Sequence, residues 1–162
     1  MKTPTSGSAD RTNTDRIERQ IMINAPRSRV WQALTTAEEF GDWFGVVLQG
    51  KVFSAGARVQ GQVTYPGYEH VVFDIMIERL EPPQLFSWRW HPFAVEPNVD
   101  YSLEPTTLVS FELREVEGGT LLSVVESGFD QIPVSRRDEA FRMNDSGWAE
   151  QMQNIEKHVA TP

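Results

Sequence analysis

A chain of 162 residues, 40% hydrophobic and 10% aromatic, reads as one soluble globular domain with enough length for a substantial core. Its formal charge of −8 argues against a nucleic-acid backbone or an anionic membrane surface as partner. The absence of cysteine excludes disulfides and thiol chemistry, no apolar run is long enough to span a membrane, and the composition fits a cytoplasmic protein.

Residues 1–16 are rich in Thr, Ser, Asp and Arg without periodicity, and are expected to form a disordered tail ahead of a single domain over 17–162. Ile17, Ile21 and Ile23 then share one face of a strand. Asn24-Ala25-Pro26 stops it, and Pro26 suits the start of a helix carrying Val30, Trp31 and Leu34. Thr36 with Glu39 predicts a capping box opening a second short helix with Phe40, Trp43 and Phe44.

The middle of the chain predicts a meander. Val46 to Val52 and Arg58 to Tyr65 are strand-like, and the parity of Val59, Gly61 and Val63 places Tyr65 on the same face. Phe73, Ile75 and Ile77 alternate with polar positions, the chain turns at Glu81-Pro82-Pro83-Gln84, and Phe86, Trp88 and Trp90 return on one face. Pairing Phe73, Ile75 and Ile77 with Trp90, Trp88 and Phe86 would put Asp74 beside Arg89 as an outer-face ion pair. Pro92 to Thr107 is expected to be a long loop at the rim of a site. Val109, Phe111 and Leu113 mark the next strand, Glu117-Gly118-Gly119-Thr120 a hairpin turn, and Leu122 and Val124 the last strand.

From Ser135 to Val159 the period changes. At ~100° per residue, Phe141, Trp148, Met152, Ile155 and Val159 form a narrow apolar arc, with Ser135 and Asp138 as an N-terminal capping pair. A stripe this long needs a covering surface, and a curved antiparallel sheet gripping one long helix supplies it. The fold class is therefore α+β.

That order also resembles a known family. The words Ile23-Asn24-Ala25-Pro26, Val30-Trp31-Gln32-Ala33-Leu34-Thr35 and Trp43-Phe44 come first. Leu80-Glu81-Pro82-Pro83-Gln84-Leu85-Phe86-Ser87-Trp88, Gly119-Thr120, Glu126-Ser127-Gly128-Phe129 and Gly147-Trp148 follow in register. Together they resemble the START-like helix-grip superfamily (SRPBCC, birch-pollen-allergen-like), and within it the branch named for homologues of the activator of the heat-shock-protein-90 ATPase. The resemblance implies a hydrophobic cavity between sheet and helix. It carries over no catalytic residue, because the matching words are structural and the superfamily includes carriers, cyclases, hydrolases and chaperone cofactors.

The candidate ligand-binding residues are Tyr65, Phe73, Trp88, Trp90, Phe111, Glu126, Asn144 and Trp148. The aromatics offer area with little rotamer entropy to lose, though each also suits a plain core. Glu126 continues the inward parity of Leu122 and Val124, unless a strand-end bulge near Gly128 turns it outward; if inward, its carboxyl must be paired, exposed at a mouth, or pushed toward neutrality. Trp88, Trp90, Tyr65 and Asn144 offer it donors, and Arg19 is the one basic residue on the same predicted face. Asn144 flanks the apolar stripe by ~60°, Gln151 lies further round, and Gly147 leaves room beside them.

His70, His91 and His158 lack ligand spacing, so no metal is expected, and no fingerprint of an organic cofactor is present. Ser127 ends a strand rather than opening a helix, so it is not a nucleophile elbow. The leading expectation is binding of a small hydrophobic, aromatic or polycyclic ligand by a monomer or dimer. The alternatives are a cyclase- or hydrolase-type enzyme using Glu126 with Asn144 or Tyr65, and an interaction protein with a chaperone partner.

Overall fold

The computed structural model describes residues 14–160. It contains β1 (Arg16–Ile23), α1 (Arg27–Thr35), α2 (Ala37–Phe44), β2 (Val46–Val47), β3 (Arg58–Val63), β4 (Val72–Glu81) and β5 (Leu85–Trp90). β6 (Thr107–Val116), β7 (Gly119–Ser127), a single 3-10 turn at Phe129–Gln131 and α3 (Val134–Ala160) complete it. All seven strands form one antiparallel sheet in the order β1-β7-β6-β5-β4-β3-β2, so the first strand closes against the last.

Strand parity builds the concave face. Phe73, Ile75, Ile77, Phe86, Trp88, Val109, Phe111, Leu122 and Val124 all point inward and are buried. α3 lays Ala140, Trp148, Met152, Ile155 and Val159 on that face, which is the helix-grip arrangement. The two short helices plug one end. Phe40 packs edge-on to Trp88 at 5.7 Å, and Phe44 reaches Phe73 at 5.3 Å and Trp148 at 6.1 Å. Each buried ring contributes about 1.5–3 kcal/mol relative to exposure, so this cluster dominates the core.

Several local expectations are corrected. Thr36 is extended and makes no side-chain cap; Glu39 instead accepts hydrogen bonds from Arg29 and His158, at 2.8 and 2.9 Å, tying α2 to α1 and α3. α3 begins at Val134, so Ser135 lies within its first turn rather than capping it. β2 is two residues long, because Leu48 and Phe53 turn into the core instead of continuing the ladder. Most of the expected tail, residues 1–13, lies outside the described residues. Asp15 belongs to the fold: its carboxylate accepts from the backbone N–H of Gly128 and of Asp130.

The β4–β5 register is two residues from the one expected. Ile77, not Ile75, opposes Trp88, and the ladder slips by one residue between Ile77 and Arg79. A shift of two keeps every side chain on its face, and the bulge lets Leu80 as well as Ile77 face inward. Arg89 therefore pairs with Glu78 at 2.8 Å, and Asp74 is held by Arg58 on β3. Both pairs are exposed and are worth little.

Candidate functional site

A cleft of about 470 Å³ opens where α3 passes the ends of β3, β4 and β5. Its inner part is aromatic, formed by Phe44, Phe73 and Trp90, and its outer lip carries Tyr65, Tyr68 and Glu150. On the helix side, Gly147 creates the space: a Cβ built there meets nothing within 4 Å. Gln151 closes the lower edge by donating to the carbonyl of Phe44 at 2.9 Å. This volume lies within the range of small-molecule sites.

The remaining wall comes from the loop 91–106. Phe93 has φ of +49°, a left-handed conformation that costs a bulky residue about 1–3 kcal/mol. Arg136 on α3 holds it there. Its guanidinium donates to the carbonyls of Pro92 and Phe93, pairs with Glu104 at 2.8 Å, and lies over the ring of Tyr101. His91 Nε2 donates to the carbonyl of Glu104, so the rim is anchored at both ends.

Behind the aromatic wall lies Glu126, a fully buried carboxyl on the inward face of β7. Trp148 Nε1 donates to Oε1 at 2.8 Å, and Trp90 Nε1 to Oε2 at 2.8 Å. Thr107 Oγ1 donates to Oε2 at 2.6 Å, and Asn144 Nδ2 lies 3.0 and 3.3 Å from the two oxygens. Arg19 is turned away and pairs with Asp145 on α3 at 2.9 Å. Burial pushes the carboxyl above the usual carboxylate range, and the donors of Thr107, Trp148, Trp90 and Asn144 oppose that push. A carboxyl held by neutral donors alone fixes two tryptophans, an asparagine and a threonine from three elements in one geometry.

With the fold and this geometry in view, residues 24–160 match the family model described as Activator of Hsp90 ATPase homolog 1-like protein. The chain belongs to this family. Among solved structures, a protein from Arthrobacter aurescens matches with a TM-score of 0.74 and 15% identity, over 93% of this chain and 88% of its own. Protein MLL2253 from Mesorhizobium loti matches at 0.67 and 21%, over 89% and 96% of the two chains. The Aha1 dimer from Colwellia psychrerythraea matches at 0.66 and 19%, over 90% and 96%. At these identities the likeness speaks for the helix-grip fold alone. No curated protein matches the chain.

In this member of the AHSA1-like family, the eight expected site residues divide into two groups. Tyr65, Phe73, Trp90 and Asn144 line the cleft. Trp88, Phe111, Trp148 and Glu126 do not; they are buried in the layer behind it, which corrects the expectation that all eight face one cavity. The cause is packing. Phe40 and Phe44 from α2 cover Trp88, and Trp148 sits 5.6 Å from Phe111, leaving no room between helix and sheet there. Tyr65 stands at the lip, 46% exposed, and donates to Glu150 across the mouth at 3.3 Å.

Thr107 escaped sequence reading, although it lies two residues before Val109 and so shares the inward parity of β6. Tyr68, Phe93 and Glu150 join the site only through tertiary contacts. Among the described residues, no group of three or more His, Asp and Glu side chains is gathered as a metal ion would need, and no helix is long and apolar enough to cross a membrane.

Proposed function

We propose that the protein is a small-molecule binding module that holds an apolar, aromatic or polycyclic ligand in the cleft beside α3. The observation that carries this reading is the aromatic inner wall of an open cleft, formed by Phe44, Phe73 and Trp90, whose one indole donor already has a partner. Trp90 and Asn144 are held on Glu126, so the wall keeps its shape whether or not a ligand is present. The enzyme alternative requires Glu126 to reach a substrate, and the carboxyl has no exposed surface and both oxygens occupied. Binding without chemistry is the stronger reading.

Apolar aromatic probes should quench tryptophan fluorescence through Trp90 and raise the melting temperature. Gly147 provides the steric control. Gly147→Trp should fill the cleft and weaken binding at least about tenfold, whereas Gly147→Ala should bind normally. The alanine variant should also be stabilised by up to about 1 kcal/mol, because glycine is a poor helix former at that interior position. A diverse apolar set giving neither quenching nor a thermal shift would leave this reading without support. Unchanged affinity in Gly147→Trp would move the ligand elsewhere.

A further inference from the structure

Hydrogen-bond accounting of the cleft wall restricts the ligand further. The indole N–H of Trp90 is committed to Glu126; one N–H of Gln151 donates to the Phe44 carbonyl, and the Gln151 oxygen accepts from Asn154. The nitrogen of Asn144 is held by Glu126, which leaves its oxygen as the acceptor at the wall. Tyr65 directs its hydroxyl hydrogen toward Glu150. His91 Nε2–H is taken by the carbonyl of Glu104. The hydroxyls of Tyr68 and Ser146 rotate and serve either role. The indole donor of the wall is therefore withheld from a guest, while the Asn144 oxygen is offered to it as an acceptor.

Charge points the same way. Among the described residues, Glu150 is the one carboxylate on the cleft wall, and no lysine or arginine lines it. The field of Glu150 at the lip is strong enough to push the Tyr65 phenol up. Beside this carboxylate, the rings of Tyr65 and Tyr68 lie 6.0 Å apart at 45°, offering two π faces at one edge of the mouth. A carboxylate with adjacent aromatic faces is the composition that holds an ammonium group. An anionic head, such as a fatty-acid carboxylate, would meet no cation and a like charge.

We propose that the cleft takes an amphipathic amine, its aromatic body against Phe44, Phe73 and Trp90 and its ammonium head at Glu150, Tyr65 and Tyr68. The inference rests on the binding reading above and names the chemical class of its ligand. It assigns Glu150 as the residue that sets ligand charge.

Three probes with one body test it: naphthylethylamine, naphthylethanol and naphthylacetate, titrated by tryptophan fluorescence and calorimetry. At low salt the amine should bind about tenfold more tightly than the alcohol, and the acetate most weakly. Added salt should shrink the amine's advantage, because the lip is exposed. Glu150→Gln should bring the amine and alcohol affinities to within about twofold of each other; Glu150 is exposed, so the variant should melt like the wild type. Amine and alcohol binding equally, or acetate binding best, would overturn the charge assignment while leaving the cleft as a binding site. An amine preference that survives Glu150→Gln would overturn the role of Glu150. If none of the three probes binds, the binding reading itself falls.

Discussion

Trp148→Ala should lower the unfolding free energy by about 3–5 kcal/mol in urea denaturation. The side chain is 3% exposed and sits where α3 crosses the sheet. Its ring lies 5.6 Å from Phe111, 6.0 Å from Trp90, 6.1 Å from Phe44 and 6.3 Å from Trp88. Truncation removes those contacts and leaves a cavity that a helix held on both sides cannot collapse into. It also takes one indole donor from Glu126 Oε1, which the core cannot replace. A loss under about 1 kcal/mol would mean that the helix is not gripped at this point. Trp148 has no surface on the cleft, so affinity for apolar probes should fall much less than stability.

Glu126→Gln should destabilise the protein, by roughly 1–3 kcal/mol, although the amide is nearly the same shape. Both carboxyl oxygens act as acceptors, Oε1 for Trp148 and Oε2 for Trp90. Thr107 can rotate its hydroxyl and Asn144 can turn its amide, but an indole N–H only donates. Whichever way the glutamine sits, its nitrogen faces one indole and leaves that donor unsatisfied. Arg19 plays no part in this balance, since it is paired with Asp145.

The pH dependence follows from the raised pKa. Between the ordinary value of 4.5 and the elevated folded value, the folded state holds more protons than the unfolded state. The contribution of this group is then fully present below 4.5 and is lost as pH rises through the folded pKa. Wild-type stability should therefore show a falling component with rising pH that Glu126→Gln lacks, and the gap between the two should narrow. Urea midpoints for both proteins between about pH 5 and pH 8 measure it. A gap that widens over that interval would mean that the four donors outweigh desolvation.

Much of this architecture was legible in the chain. The inward rows of β1 and β4 to β7 follow from a period of two, and the stripe of α3 from a period near 3.6. The inward carboxyl was legible too, because Glu126 shares the parity of Leu122 and Val124. Parity assigns a side chain to a face, and a face is a property of local backbone geometry. It does not state how deep in that face the side chain will lie, or what will cover it.

Depth was decided by packing between distant elements. Trp88 and Trp90 share one face of β5, yet Trp88 is fully buried and Trp90 borders the cleft, because both Phe40 and Phe44 of α2 pack on the first, whereas only Phe44, the last residue of that helix, reaches the second. The β4–β5 register depended on where a bulge fell, which hydrophobic alternation leaves open. The Glu126 donors come from β5, β6 and α3, and the lip joins Tyr65 to Glu150, 85 positions later. Alternation and composition are local, so by itself the sequence determined an α+β helix-grip arrangement with an aromatic interior and an acid, Glu126, at an inward-parity position that a strand-end bulge could still have turned outward. Cleft, mouth and charge arise where segments remote in sequence are brought side by side, and only the tertiary structure decided them.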